Sequence, residues 1–238
     1  MTLGRELRPR GEPCDPGSDD HNVPPSVWHE SPLRANSSPR IQYDIRVVEC
    51  VMPAVHTATL TAHPSTPCEA IRTFEVRVQV READLLVLDY SVQGDLSRLR
   101  IPPPRTAQRA DELWRHTCFE AFLVTDDSPG YYELNFSPSG EWAAYRFSAY
   151  RTGMTPADGV GVPTTRLVSD ASSLQVEAAI AVTAIREVLL PQSSVPLRVA
   201  LAAVMEDSAG RVSYWAQRHA HGKPDFHHPD GFALEISP

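Results

Sequence analysis

The chain has 238 residues, 42% of them hydrophobic and 22% charged, and a net charge of -8 with a pI of about 5.6. That length holds one large β-domain or two small ones, in a composition typical of globular chains. The acidic balance argues against a nucleic-acid partner, which needs a basic face to meet phosphates.

Taken in order, Met1 to about Pro39 is rich in Pro, Ser, Gly, Asp and Arg and poor in large apolar residues. Such a segment cannot bury enough surface to offset its ordering entropy. The reading is a disordered Pro-rich tail over residues 1–40, with Trp28 unstructured, and one domain from 41 to 238. The opening MTLGRELRPRGEPCDPG lacks the apolar centre of a signal peptide. No run of about 18 apolar residues occurs, so no membrane span is expected. Cys14, Cys50, Cys68 and Cys118 form no CxxC pair, and without an export signal reduced thiols and a cytoplasmic location are expected.

Ile41 to Met52 and Val55 to Ala62 read as strands. Phe74, Val76, Val78 and Val80 alternate with charged or amide residues, the pattern of a half-buried strand, and Leu85 to Val92 follows as the next. The prolines of IPPPR (Ile101 to Arg105) lack the ladder donor, so residues 100–112 read as a long loop. Leu113 to Arg151 then holds three β-rich runs separated by DDSPG and SPSG, which describes an antiparallel meander. Thr152 to Arg166 reads as a second long loop. Gln175 to Thr183 and Pro196 to Glu206 alternate as strands, with one or two helical turns between them at Ala184 to Leu190. DSAG (Asp207 to Gly210) reads as a hairpin turn, Val212 to Arg218 as the returning strand and Phe232 to Ile236 as the last one. About ten short strands with almost no helix predict an all-β antiparallel sandwich.

Several segments resemble a known family. GDLSRLRIPPP, LWRHTCFEAFL, YYELNFSPSGEWAAYRF, SYWAQRH and KPDFHHPDGFALE are similar to those of bacterial DOMON-like domain proteins, over roughly Val55 to Ile236. The resemblance implies an immunoglobulin-like or jelly-roll sandwich, related to DOMON haem- or sugar-binding domains and to family-nine carbohydrate-binding modules, with a ligand site at one face or end.

The residues offer a sugar platform. Flat aromatic rings stack on the apolar face of a pyranose while polar side chains take its hydroxyls. Trp114, Trp142 and Trp215 supply rings; His116, Glu120, Glu133, Asn135, Gln217, Arg218, His219, Lys223 and Asp225 supply polar groups. By strand parity Glu133 and Asn135 share the face of Tyr131, and Trp142 lies opposite Ala143, Tyr145 and Phe147. The bland alternative packs the tryptophans in the core and solvates the polar face. Arg218, Lys223 and protonated histidines would suit an anionic sugar or phosphate.

Other chemistries compete. A haem site would use Met154 with His116 or His219, whereas Met205 falls on an apolar strand face and reads as core packing. His219, His221, Asp225, His227 and His228 hold enough ligands for zinc but no defined spacing. Cys118 with His116 could form a thiolate pair, although a cysteine in an apolar strand reads first as a small buried hydrophobe. Glu120 and Glu133 could act as paired glycosidase carboxyls. The reading that results is a non-catalytic binding domain for a small ligand, carbohydrate first, with no required cofactor. An enzyme acting on a glycan and a haem-binding electron carrier are the alternatives.

Overall fold

The computed structural model describes residues 54–81, 85–125, 128–183, 185 and 196–236. The expected tail, the expected strand at 41–52 and most of the expected helical turns at 184–190 lie outside these residues. The first strands are β1 (Val55–Thr59), β2 (Thr61–Ala62), β3 (Ile71–Arg81) and β4 (Leu85–Gly94). The meander follows as β5 (Cys118–Val124), β6 (Tyr131–Phe136) and β7 (Trp142–Phe147). The rest are β8 (Thr155–Pro156), β9 (Thr164–Ser169), β10 (Ser173–Ala181), β11 (Leu197–Glu206), β12 (Val212–Ala216) and β13 (Leu234–Ile236).

These strands form two antiparallel sheets, and the all-β sandwich is confirmed. The five-stranded sheet runs β1-β3-β4-β10-β9; the eight-stranded sheet runs β2-β12-β11-β5-β6-β7-β8, with β13 beside the start of β11. The chain passes from one sheet to the other at Leu60, which is buried at the corner. Strand alternation explains the packing between them. Phe74, Val76 and Val78 of β3 point inward with Leu88 and Tyr90 of β4, meeting Phe119, Leu134 and Leu201 of the other sheet in one core cluster. Their partners in sequence, Glu75, Arg77 and Gln79, face solvent or are half-buried. Phe119 centres this layer, with its ring 6.0 Å from Phe74 and 5.1 Å from Tyr90.

The described residues form thirteen strands against the expected ten or so: Leu60 splits the strand expected over 55–62 into β1 and β2, and two further strands were hidden in loop-like sequence. Thr155–Pro156 falls inside the stretch 152–166 read as a long loop, Thr164–Ser169 begins within it and runs past its end, and both are edge strands. An edge position tolerates the prolines and polar residues that argue against an interior strand. The first run of the meander also begins later than expected, since Leu113–Arg115 forms a 3-10 turn before β5.

The eight-stranded sheet is buried on both faces at its centre. β5, β6 and β11 are almost wholly buried. Their second face packs Phe122, Tyr131, Tyr145, Phe147 and Phe232 in a separate cluster with Leu113, Trp114 and Phe226. Loop segments around Trp114, Arg151 and Phe226 therefore cover this face. Among the described residues no helix is long and apolar enough to cross a membrane.

Truncating Phe119, which is fully buried, to Ala should cost about 3–5 kcal/mol in a urea unfolding titration. Val168→Ala on edge strand β9, at a side chain 50% exposed, should change stability by less than about 0.5 kcal/mol. Equal effects would contradict the placement of the core.

Candidate functional site

A cavity of about 450 Å³ opens on the covered face of the eight-stranded sheet. Its volume is within the range of small-molecule sites. The floor carries Glu120 of β5 and Glu133 of β6, with Val204 of β11 beside them. The walls are Trp114, Phe147, Tyr214 and Phe226, and Arg151, Met154, Pro224 and His227 complete the lining.

The two glutamates meet because of register. Glu120 pairs with Asn135 across β5 and β6, and Phe122 pairs with Glu133, so Glu120 and Glu133 are diagonal neighbours on one face. Asn135 is fully buried and donates from Nδ2 to Glu133 Oε1 at 2.7 Å. Glu120 is 2% exposed, and its Oε1 is buried with no hydrogen-bond partner among the described residues. Burial, and then the charge of Glu133, push the Glu120 carboxyl well above the usual range. Burial also pushes Glu133 up to about 7, against the lowering pull of Asn135 and Arg151. The pair therefore shares protons near neutrality and carries less than two negative charges there.

His227 forms the side of the floor. Its ring lies edge-on to Phe122 and Phe147, at 5.1 and 5.2 Å. Burial and then the nearby Arg151 charge hold it down to about 4, so it is neutral at pH 7. Tyr131 Oη lies 2.7 Å from His227 Nδ1 and accepts from the Arg151 backbone N–H. The tautomer assigned from this network has Tyr131 donating to Nδ1 and leaves the proton on Nε2, which sits 3.9 Å from Glu133 Oε2.

Two strained backbone positions aim the covering loops. Among the described residues the non-glycine positions with positive φ are Glu112 (61°) and Arg151 (51°). One precedes the turn that carries Trp114, and the other is Arg151 itself. Left-handed non-glycine residues concentrate where surrounding structure over-determines them. Asp225 is the tie: Oδ1 accepts from Arg151 Nη2 at 2.6 Å and from the His227 backbone N–H at 3.1 Å, while Oδ2 accepts from the Tyr150 hydroxyl. Burial would raise Asp225, but the hydrogen bonds and the Arg151 charge prevail and hold it below its usual range.

Trp114, Glu120 and Glu133 line the cavity; Asn135 and Asp225 stand behind it, positioning Glu133 and Arg151. Trp142 and Trp215 are 7% and 6% exposed in the core between the sheets, on the far side of the sheet from the cavity. His116 bonds Glu206 Oε2 through Nδ1 at 2.7 Å, and Arg100 bonds the same carboxylate. His219 Nε2 lies 2.8 Å from the Thr61 carbonyl. Arg218 and Lys223 are exposed and do not line the cavity.

Two of the competing chemistries, the thiolate pair and the zinc site, lose their geometry. Cys118 is fully buried, its Sγ 3.7 Å from Asn135 Oδ1, and burial raises its thiol, while His116 is engaged elsewhere. The histidines of the C-terminal loop diverge: His219 to Thr61, His227 to Tyr131, and His228 Nδ1 to the Asp230 N–H. Among the described residues no three His, Cys, Asp or Glu side chains gather as a metal set. Arg151, Tyr214 and Phe226 were absent from the sequence-based candidates. Parity could have placed Tyr214 opposite Trp215, but nothing local announces that the loops converge.

Comparisons with known proteins add the fold. No family model matches the chain, and no curated protein does. A solved structure from Bacteroides uniformis ATCC 8492, provisionally described as a carbohydrate-binding protein, superposes with a TM-score of 0.50. The match covers 76% of this chain and 84% of that one at 14% identity. The sandwich is shared.

The carboxyl pair makes a pH prediction. Glu120 and Glu133 hold protons in the fold at pH values where unfolded glutamates, near 4.5, have lost them. The folded state then binds more protons, so stability falls as pH rises from about 4.5 through the folded values. His227 acts oppositely, but only between about 4 and 6.5. From pH 6.5 to 8.5 the carboxyls therefore act alone among these three groups. The melting temperature should fall over that window and Glu120→Gln should make the fall shallower, leaving the part due to Glu133; an equally steep curve in the variant would refute the protonated pair.

Proposed function

We propose that this protein binds a small polar ligand, a carbohydrate or sugar derivative, in the cavity on the covered face of its larger sheet. The observation that carries this reading is the buried Glu120–Glu133 pair beneath an aromatic wall. A buried acceptor with no partner costs about 1–3 kcal/mol, and a ligand donor seated on Glu120 Oε1 removes that cost. Trp114, half-buried and edge-on to Tyr145 at 5.7 Å, offers a ring face for a pyranose. The structural likeness to the Bacteroides protein supports the same ligand class, at the level of fold alone.

A glycan-cleaving enzyme would use the same two carboxyls, so their placement bears on the choice between the readings. They rise from adjacent strands at one floor. Glycosidases place theirs on either side of the scissile bond. One floor suits holding hydroxyls better than flanking a bond, and the binding reading is preferred.

A thermal-shift screen with mono- and oligosaccharides and nucleotide sugars tests it. A ligand present at 100 times its Kd adds about 2.7 kcal/mol, a rise of roughly 5–10 °C for a domain this size. Trp114→Ala should weaken the responding ligand at least about tenfold. A screen with no response, or a response unchanged in Trp114→Ala, would overturn the reading. Product formation abolished by Glu133→Gln with binding retained would favour the enzyme instead.

A further inference from the structure

The cavity floor has more acidity than its surroundings neutralise. Glu133 Oε1 is taken by Asn135, but Glu120 Oε1 is 98% enclosed with its residue and has no partner among the described residues. The cationic group in the lining, Arg151, is committed to Asp225 through Nε and Nη2. His227 is neutral and uses Nδ1 on Tyr131. Cys118 and Tyr131 stay protonated beside the pair. From the core side, Tyr90 donates to the Glu120 backbone carbonyl, leaving the carboxyl untouched. Lys223 and Arg218 lie outside the cavity wall.

We propose that the ligand seats a protonated amine on Glu120 and Glu133, so that the site takes an amino sugar. This rests on the carbohydrate reading above and narrows it. An ammonium offers three donors and a positive charge, matching the free Glu120 oxygen and the shared negative charge together. A neutral hydroxyl can satisfy Oε1 but cannot balance the pair. Charge-assisted bonds of this kind are roughly twice as strong as neutral ones, and the aromatic walls of Trp114 and Tyr214 also suit a cation. Where the pair is fully protonated, one proton leaves the carboxyls for solvent as the ammonium binds. Affinity then rises with pH, about tenfold per unit, while the pair is protonated and the amine charged.

Isothermal titration of the full chain with glucosamine, glucose, N-acetylglucosamine and putrescine tests this. Glucosamine should bind at least about tenfold tighter than glucose or N-acetylglucosamine at pH 6.5, a gap of about 1.4 kcal/mol. It should bind about tenfold more weakly at pH 5.5, with proton release visible as buffer-dependent heat. Glu120→Gln should remove the preference; the wild-type comparison decides even if that variant folds poorly. Putrescine matching glucosamine would overturn the amino-sugar inference, because the ring would then add nothing to the amine. Glucose binding as tightly as glucosamine would overturn the amine inference and leave the carbohydrate reading standing. No heat and no thermal shift from any probe would overturn both.

Discussion

The Glu120–Glu133 pair is the interaction on which the covered face depends. Two carboxyls on the central strands of a sheet would ordinarily face water, and there they would cost nothing. Here loops from three parts of the chain close over them, and burial raises both. Apolar residues of similar volume are often as stable as buried ionisable ones, or more so. The pair therefore works against stability at neutral pH, and its burial is better explained by what it can hold than by what it supports.

The cover is built around one anion. Asp225 gathers Arg151, Tyr150 and the backbone of His227, joining the loop after β7 to the loop after β12. That junction fixes Arg151 in its left-handed conformation and sets Tyr131 against His227, and His227 in turn faces Glu133. The chain of contacts runs from a half-exposed ion pair at the rim to a carboxyl at the floor. A change at Asp225 would thus reach Glu133 without touching it.

Strand parity made the fold and part of the site legible. It separated Leu134 and Phe136 from Glu133 and Asn135, and Trp142 from Tyr145 and Phe147, as the structure has them. It could not say which of the two faces was the core. Both faces of β5 and β6 are buried, so the usual contrast of apolar and polar sides fails there. Trp142 and Trp215, promising as ring platforms by type, fell on the inter-sheet side. The edge strands β8 and β9 were hidden by the prolines and glycines around them and by the polar residues of β9, none of which marks an interior strand. Arg151 and Phe226 were not legible, because their roles arise from loop closure between residues about seventy-five apart in sequence.

The two faces of the larger sheet therefore answer to different constraints. The inner face must fill space against Phe74, Val76 and Tyr90, and any well-packed apolar set can do that. This is why a protein at 14% identity can share the sandwich. The outer face must gather two carboxyls, a buried amide bonded to one of them and a neutral imidazole 3.9 Å from the same one, under loops tied together at Asp225. No volume-filling rule produces that set. It is on the outer face, where the residues are costly and specific, that the chain departs from what its fold alone requires.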